Sequence, residues 1–286
     1  MNPKVSVIMP CYNEPAEIFR RSLESVINQT LEEVEIIIIL DNPENNELEW
    51  IISEYQRICD RILLLIPDNN LGRWEARNLG VSFAEWEYLA IHDSDDIDLP
   101  ERLEKQLRFM EENSDLSAMI SRVSNVDENW TLLSQQPKWF ISEEDSFFRK
   151  GFNHPTLFMR RGVFKKHSGY KNINFWEDMD LWIRMYLGWE ELWYQDKILS
   201  NYLYPKYSSH SNYLEKMLEW KSAWIKRGIR YFHHPKAFLD IHFYRVLVRS
   251  IIDYSILTIA PSYFSKCNSM IVSVMERVRR ITWRIN

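Results

Sequence analysis

Glu87-Tyr88-Leu89-Ala90-Ile91-His92-Asp93-Ser94-Asp95-Asp96 is the stretch from which the rest of the chain can be read. A short, mostly apolar run reads as a buried strand, and it passes straight into three carboxylates within four positions. Unpaired ionised carboxylates do not survive burial, so the strand must end there, on a cleft facing water or a cation. Alternate side chains of an extended segment point the same way, so Asp93 and Asp95 converge on one point. Two hard oxygen donors at that spacing, with room for water and phosphate, suit Mg2+ or Mn2+. The same residues also read as an acidic turn capping a helix that begins near Pro100. The surrounding pattern separates the two readings.

Toward the N-terminus, Val5-Ser6-Val7-Ile8-Met9-Pro10 is another apolar run stopped by a proline, followed by the loop Cys11-Tyr12-Asn13-Glu14-Pro15. Proline at a helix start and apolar residues at Ile18, Leu23, Val26 and Ile27 predict a helix next. Residues 34–40 predict a second strand, ending in the polar loop Asp41-Asn42-Pro43-Glu44-Asn45-Asn46. A helix over 48–58, a strand over 61–66, a turn at 69–72 and a helix over 73–84 complete the run to the carboxylates. Strands alternating with helices give β-α-β units and an α/β fold with a mostly parallel sheet. In such sheets ligands bind outside the carboxyl ends of the strands. Three polar loops on one edge, at Asn13-Glu14, Asp41-Asn42 and Asp93 to Asp96, therefore make a site.

Composition narrows the chemistry. The 286 residues are 45% hydrophobic and 27% charged, which is ordinary for a folded domain. Aromatic content of 14%, with 12 Trp, exceeds what a core needs and suits sugar platforms or an interfacial anchor. Three unpaired-looking cysteines, Cys11, Cys59 and Cys267, argue for a reducing compartment and against a zinc site or disulfide framework. Neither a secretory leader nor a membrane span is expected. The chain has neither a Gly-x-Gly-x-x-Gly nor a Walker-type Gly-Lys-Ser/Thr and only 7 Gly, so phosphates would be held by metal and by Arg or Lys.

Toward the C-terminus, a helix is expected to about Glu112, a strand over 116–126 and irregular chain over 127–150. Asn153-His154-Pro155-Thr156 then precedes a strand at 157–160. A second chemical stretch follows, Trp176-Glu177-Asp178-Met179-Asp180-Leu181-Trp182, whose acidic residues open a helix. Helix capping by the macrodipole is one explanation of those carboxylates; catalysis is the other.

With these residues in view, the chain resembles a nucleotide-sugar glycosyltransferase of family 2, which has the GT-A fold. The resemblance rests on Ser6 to Glu14, the Asp41-Asn42 loop, Gly72 with Ala76-Arg77-Asn78, His92-Asp93-Ser94-Asp95-Asp96, Asn153-His154-Pro155-Thr156, Gly169-Tyr170, and Glu177-Asp178 with Leu181-Trp182. These occur in the family's order over about residues 3–205. It implies that Pro10, Tyr12, Glu14, Asp41 and Arg77 surround the nucleotide, with Asn42 standing where many relatives have a second Asp. Asp93 would contact the ribose and Asp95 the divalent cation, Mn2+ or Mg2+. Asp178 would be the general base of an inverting displacement, with Glu177 beside it. Arg73 or Arg77 would add contacts to the diphosphate. Trp176 and Trp182 would stack on a sugar ring or else serve the core, and His154 would touch phosphate or acceptor or else order its loop. The Gln-x-x-Arg-Trp motif of processive synthases is absent, so one sugar per encounter is expected. The donor would be a UDP-sugar and the acceptor a lipid-linked oligosaccharide of a capsule, O-antigen or exopolysaccharide. The competing class is a catalytically silent nucleotide-sugar-binding or scaffolding module.

The domain boundary is expected at 212/213, with 1–100 binding the nucleotide sugar and 101–212 carrying the acceptor side and base. Residues 216–286 hold 13 Lys and Arg against 4 Asp and Glu, a balance of +9 that leaves −15 for the rest of a chain of net charge −6. A basic helical extension with apolar stripes over 243–260 and 270–278 is expected to dock on the inner face of the cytoplasmic membrane. Packing on the catalytic domain, or homo-oligomer contact, is the alternative use of those stripes. Nucleic acid is excluded as a partner by the acidic body and the lack of a matching motif.

Overall fold

The computed structural model describes residues 4–136, 153–172 and 177–203. The chain divides into Met1–Lys206 and Tyr207–Asn286, and every described residue belongs to the first unit. Trp176 and the basic extension over 213–286 therefore lie outside the described residues.

Four parallel strands form the first half of a mixed sheet: β1 (Val5–Cys11), β2 (Val34–Leu40), β3 (Ile62–Leu65) and β4 (Tyr88–Ile91). The remaining strands are β5 (Ile97–Asp98), β6 (Leu116–Val126), β7 (Leu132–Gln135), β8 (Phe158–Arg160) and β9 (Glu191–Leu203). The order is β3-β2-β1-β4-β8-β6-β9-β5, with β7 paired to β6. β8 enters antiparallel between β4 and β6, and β9 runs parallel to β6. The register pairs Cys11 with Leu40 and Ile8 with Ile91, so β1, β2 and β4 deliver their loops to one edge, as the alternation predicts.

The two faces of the sheet carry separate cores because side chains alternate along each strand. Val7, Met9, Ile36 and Ile38 point to one face and meet Phe19, Leu23, Ile52 and Leu107. These belong to α1 (Ala16–Ile27), α2 (Asn46–Gln56) and α4 (Arg102–Glu112). Ile8, Ile37 and Ile39 point to the other face, against Ala76, Val81, Leu181 and Trp182. Those lie on α3 (Arg73–Phe83) and α6 (Glu177–Leu187); a short α5 (Arg161–Lys166) follows β8. α3 lies unusually close to the sheet: a Cβ on Gly80 would come 2.6 Å from Ile39 Cδ1 and 2.8 Å from Ile8 Cγ2. That approach sets Arg77, one turn earlier, against the strand ends.

Two expectations change. The stretch expected to be irregular over 127–150 contains β7. β9, thirteen residues long, had no predicted counterpart, because Glu191-Leu192-Trp193-Tyr194-Gln195-Asp196-Lys197 lacks a period of two. Among the described residues no helix is long and apolar enough to cross a membrane.

Candidate active site

The three carboxylates after β4 take three different environments. Asp93 is half-buried, and Arg77 Nη2 donates to its Oδ1 at 2.8 Å. Burial opposes its ionisation, but Arg77 outweighs that and holds its carboxyl below the usual range. Asp95 is the one that is exposed. The protein around it, followed by the Asp93 and Glu14 carboxylates, pushes its carboxyl up to about 6. Asp96 turns inward, only 1% exposed, and its Oδ1 accepts the Leu203 N–H at 2.9 Å. This corrects the expectation that all three face the cleft. Burial, then Asp95 and Asp93, raise the Asp96 carboxyl well above the ordinary range, and its bond to the Leu203 N–H ties the turn to the end of β9.

The turn is held from below by a buried polar chain. His92 lies between Ser22 Oγ (2.8 Å from Nε2) and Asp98 Oδ2 (2.9 Å from Nδ1). Arg102 Nη1 donates to the same Asp98 oxygen at 2.6 Å, and its Nη2 donates to the Ile91 carbonyl at 2.8 Å. Ser22 Oγ reaches the Asp93 carbonyl at 3.3 Å. Sequence reasoning missed this network; the Asp98-x-x-x-Arg102 spacing was its only local trace.

At the nucleotide corner, the Asp41 carboxylate accepts the Leu71 N–H at 2.7 Å and the Gly72 N–H at 2.8 Å. Gly72, at φ +81° and ψ 158°, occupies backbone space that only glycine enters readily, and this lets the chain turn into α3 directly after the two N–H groups held by Asp41. Asn42 Nδ2 donates to Asn13 Oδ1 at 2.7 Å, and Asn45 Nδ2 donates to the Tyr12 carbonyl at 3.0 Å. Glu14 Oε2 accepts the Tyr12 N–H at 2.8 Å, and the Tyr12 ring is 45% exposed. Pro10, in β1 opposite Ile39, leads into this corner. Arg73 is exposed on the first turn of α3, whereas Arg77 is buried.

α6 brings the second carboxylate pair. Arg77 Nη1 donates to Glu177 Oε1 at 2.9 Å, so one guanidinium joins the end of β4 to the start of α6. Asp178 Oδ1 accepts the Met179 N–H at 2.7 Å. Burial and then Glu177 raise the Asp178 carboxyl above its ordinary value. Asp180, the third acid of that turn, is buried on Arg184 Nε at 2.7 Å. His154 sits in a 3-10 turn (His154–Thr156) with Nε2 3.1 Å from Tyr170 Oη, and burial, followed by Arg77, lowers it to about 3. It is a neutral, buried histidine. Of the two uses expected for Trp182, sugar platform or core, its 1% exposure fits the core and corrects the acceptor-binding one: it packs with Leu181 and Met185 in the apolar layer.

The donor set fits a hard divalent cation. Asp95 is an exposed hard oxygen donor, and the Asp93 and Glu14 carboxylates add to the rise in its pKa that desolvation by the surrounding protein begins. Among the described residues no group of three or more His, Cys, Asp or Glu is arranged to hold a metal. An ion here would complete its shell from donor phosphates and water, as Mg2+ usually does.

Comparison with known proteins gives the family and the fold. The family described as Glycosyl transferase family 2 matches residues 6–168. A glycosyltransferase of Methanocaldococcus jannaschii, itself described as uncharacterized, is 34% identical over 269 residues, covering 92% of each chain. The O-antigen biosynthesis glycosyltransferase WbnJ of Escherichia coli is 31% identical over 186 residues, 63% of this chain and 71% of that one. The crystal structure of S. aureus TarS with UDP-GlcNAc superimposes with a TM-score of 0.67 at 18% identity, covering 87% of this chain and 71% of that chain. Fold, family profile and relatives converge: the chain belongs to glycosyltransferase family 2 and has the GT-A fold.

Proposed function

We propose that the protein is an inverting, metal-dependent glycosyltransferase that moves one sugar from a UDP-sugar to a lipid-linked saccharide in the building of a surface polysaccharide. The observation that carries this reading is the double bridge of Arg77 to Asp93 and Glu177, at 2.8 and 2.9 Å. It brings the carboxylates that would face a diphosphate and those that would face an acceptor into one site. A silent binding module would have no use for the second pair. Relatives point the same way: one Escherichia coli protein, 29% identical over 186 residues, is a UDP-Gal:alpha-D-GlcNAc-diphosphoundecaprenol beta-1,3-galactosyltransferase.

In this reading Tyr12, Asp41 and Asn42, with Pro10 and Glu14, shape the nucleoside pocket, and the exposed Arg73 takes a phosphate oxygen. A Mn2+ or Mg2+ ion on Asp95, with Asp93 beside it, would supply charge neutralisation on the leaving diphosphate. Asp178 accepts the acceptor hydroxyl's proton as that oxygen attacks the anomeric carbon. The bond to the diphosphate breaks with its electron pair, and attack from the opposite face inverts the centre. A carboxylate whose proton affinity is raised suits that task, and such bases contribute about 10²–10⁴-fold. The basic extension would hold the enzyme on the inner face of the cytoplasmic membrane, where a lipid-linked acceptor presents its hydroxyl. Homo-oligomer contact is the other use of that segment.

A panel of nucleotide sugars with and without Mn2+ tests the reading. A matching donor at 100 times its dissociation constant should raise stability by about 2.7 kcal/mol, only with metal, and UDP should be released on turnover. A metal-independent response from every nucleotide sugar, or none at all, would defeat it.

A further inference from the structure

We infer that Arg77 and Asn78 are positioning residues which set the base-bearing end of α6, and that Arg77 is not a donor ligand. The inference rests on the glycosyltransferase reading and deepens it. Adjacent residues of α3 hold both ends of the segment that leads into α6. At the near end, Asn78 Nδ2 donates to the Tyr170 carbonyl at 2.8 Å and Asn78 Oδ1 accepts the Tyr170 N–H at 2.9 Å. The pair of bonds imitates a strand partner and fixes the backbone there. Gly169, at φ +57°, lets the chain turn into this grip; a Cβ there would meet Asn78 Oδ1 at 2.6 Å. At the far end, Arg77 Nη1 holds Glu177, the residue before Asp178.

Arg77 is shielded from a ligand by its burial: each terminal nitrogen holds a carboxylate, and Nε, which has no partner among the described residues, is itself buried. Nη2 is spent on Asp93, the guanidinium carbon lies 5.8 Å from the Tyr170 ring centroid, and the side chain is buried. Burial works against its charge, but Asp93, Tyr170 and Glu177 more than compensate, and its pKa is raised. A fixed cation between two fixed carboxylates sets distance rather than carrying a proton. α3 packs closely on the sheet at Gly80, where a Cβ would meet Ile39 and Ile8. The chain of contacts therefore runs from the sheet through α3 to α6, so that Asp178 is placed relative to Asp93 by one guanidinium. Glu177 is then a hydrogen-bond acceptor for Arg77 and Asp178 alone is the chemical base.

The test uses hydrolytic turnover of the UDP-sugar selected by the donor panel, water standing in for the acceptor, with UDP–Mn2+ affinity measured by calorimetry. Glu177→Gln keeps an acceptor for Arg77 and should stay within about tenfold of wild type in kcat, whereas Glu177→Ala should lose about 100-fold or more, consistent with loss of positioning. Donor KM and UDP–Mn2+ affinity should stay within about threefold in both. Asn78→Asp, which keeps one of the two bonds to Tyr170 and touches neither Asp93 nor Glu177, should also lower kcat at constant KM. Arg77→Lys, which cannot fork, should behave like Glu177→Ala; if it does not fold, the Glu177 pair and Asn78→Asp still decide. Glu177→Gln as inactive as Glu177→Ala would make Glu177 chemical and overturn the proposal. So would Arg77→Lys weakening UDP–Mn2+ while kcat holds, or Asn78→Asp with unchanged kcat. Failure of wild type to bind UDP–Mn2+ would instead count against the parent reading.

Discussion

Asp41 Oδ2 lies 2.8 Å from the amide nitrogen of Gly72, and Asp41 Oδ1 lies 2.7 Å from that of Leu71, thirty residues along the chain. A carboxylate that the family resemblance places around the nucleotide is thus the anchor that orders the loop entering α3. Asp41→Asn keeps one acceptor for two donors and leaves an N–H poorly matched. It should cost about 1–3 kcal/mol in urea unfolding and weaken UDP binding together with it. Wild-type stability with weakened UDP binding would confine Asp41 to the nucleotide.

Asp178→Asn should bind UDP–Mn2+ as wild type does and lose about 10²–10⁴-fold in turnover. The group acts only as the acceptor attacks, so the loss belongs in kcat. Calorimetry alongside a UDP-release assay separates the two terms. A collapse of UDP binding would assign Asp178 to structure instead.

Asp95→Asn should abolish Mn2+-dependent donor binding without unfolding the protein, because the side chain is exposed. Its folded pKa of about 6 lies above the unfolded value near 3.9. The metal-free protein therefore loses stability from this group as pH rises from about 4 through 6. The variant should consequently be somewhat more stable than wild type at pH 7.5 without metal, and lose that lead when Mn2+ is added. Donor turnover by the variant in EDTA at the wild-type rate would remove Asp95 from the metal.

His154 gives a pH dependence of the opposite sign. Its folded pKa, about 3, lies below the unfolded value near 6.5, so unfolding takes up a proton between those limits. This contribution to stability is complete above about pH 6.5 and declines at up to ~1.4 kcal/mol per pH unit as pH falls toward 3. His154→Gln retains a partner for Tyr170 and removes the titration. The stability difference between wild type and variant, from urea midpoints at pH 7, 6 and 5, should shrink or reverse on acidification. Parallel curves would show that His154 takes up no proton on unfolding.

The full-length protein should sediment with anionic liposomes at low salt and be released at high salt, since each basic group near such a surface contributes about 1 kcal/mol. Deleting residues 265–286 should weaken the association. No co-sedimentation at low salt, or none lost on deletion, would leave those residues to packing or self-association.

The sequence by itself determined what depends on neighbours along the chain. Apolar runs of strand length, each closed by a polar loop, set the order of β1 to β4 and the shared edge of their loops, because strand periodicity and turn chemistry are local. The same logic marked the turn from Asp93 to Asp96 and the turn at 69–72 that ends in Gly72, whereas the role expected of Asp178 came from the family resemblance. Tertiary structure alone decided which charges meet. Nothing near Arg77 in sequence says that its guanidinium spans Asp93 and Glu177, 16 and 100 residues further along the chain. Nothing local distinguishes exposed Asp95 from Asp96, buried with its Oδ1 on the Leu203 N–H. β9 and the antiparallel entry of β8 between β4 and β6 were equally hidden. Their pairing energy comes from strands far away in sequence, and partner choice across a sheet or between ions is a property of the packed chain rather than of any stretch within it.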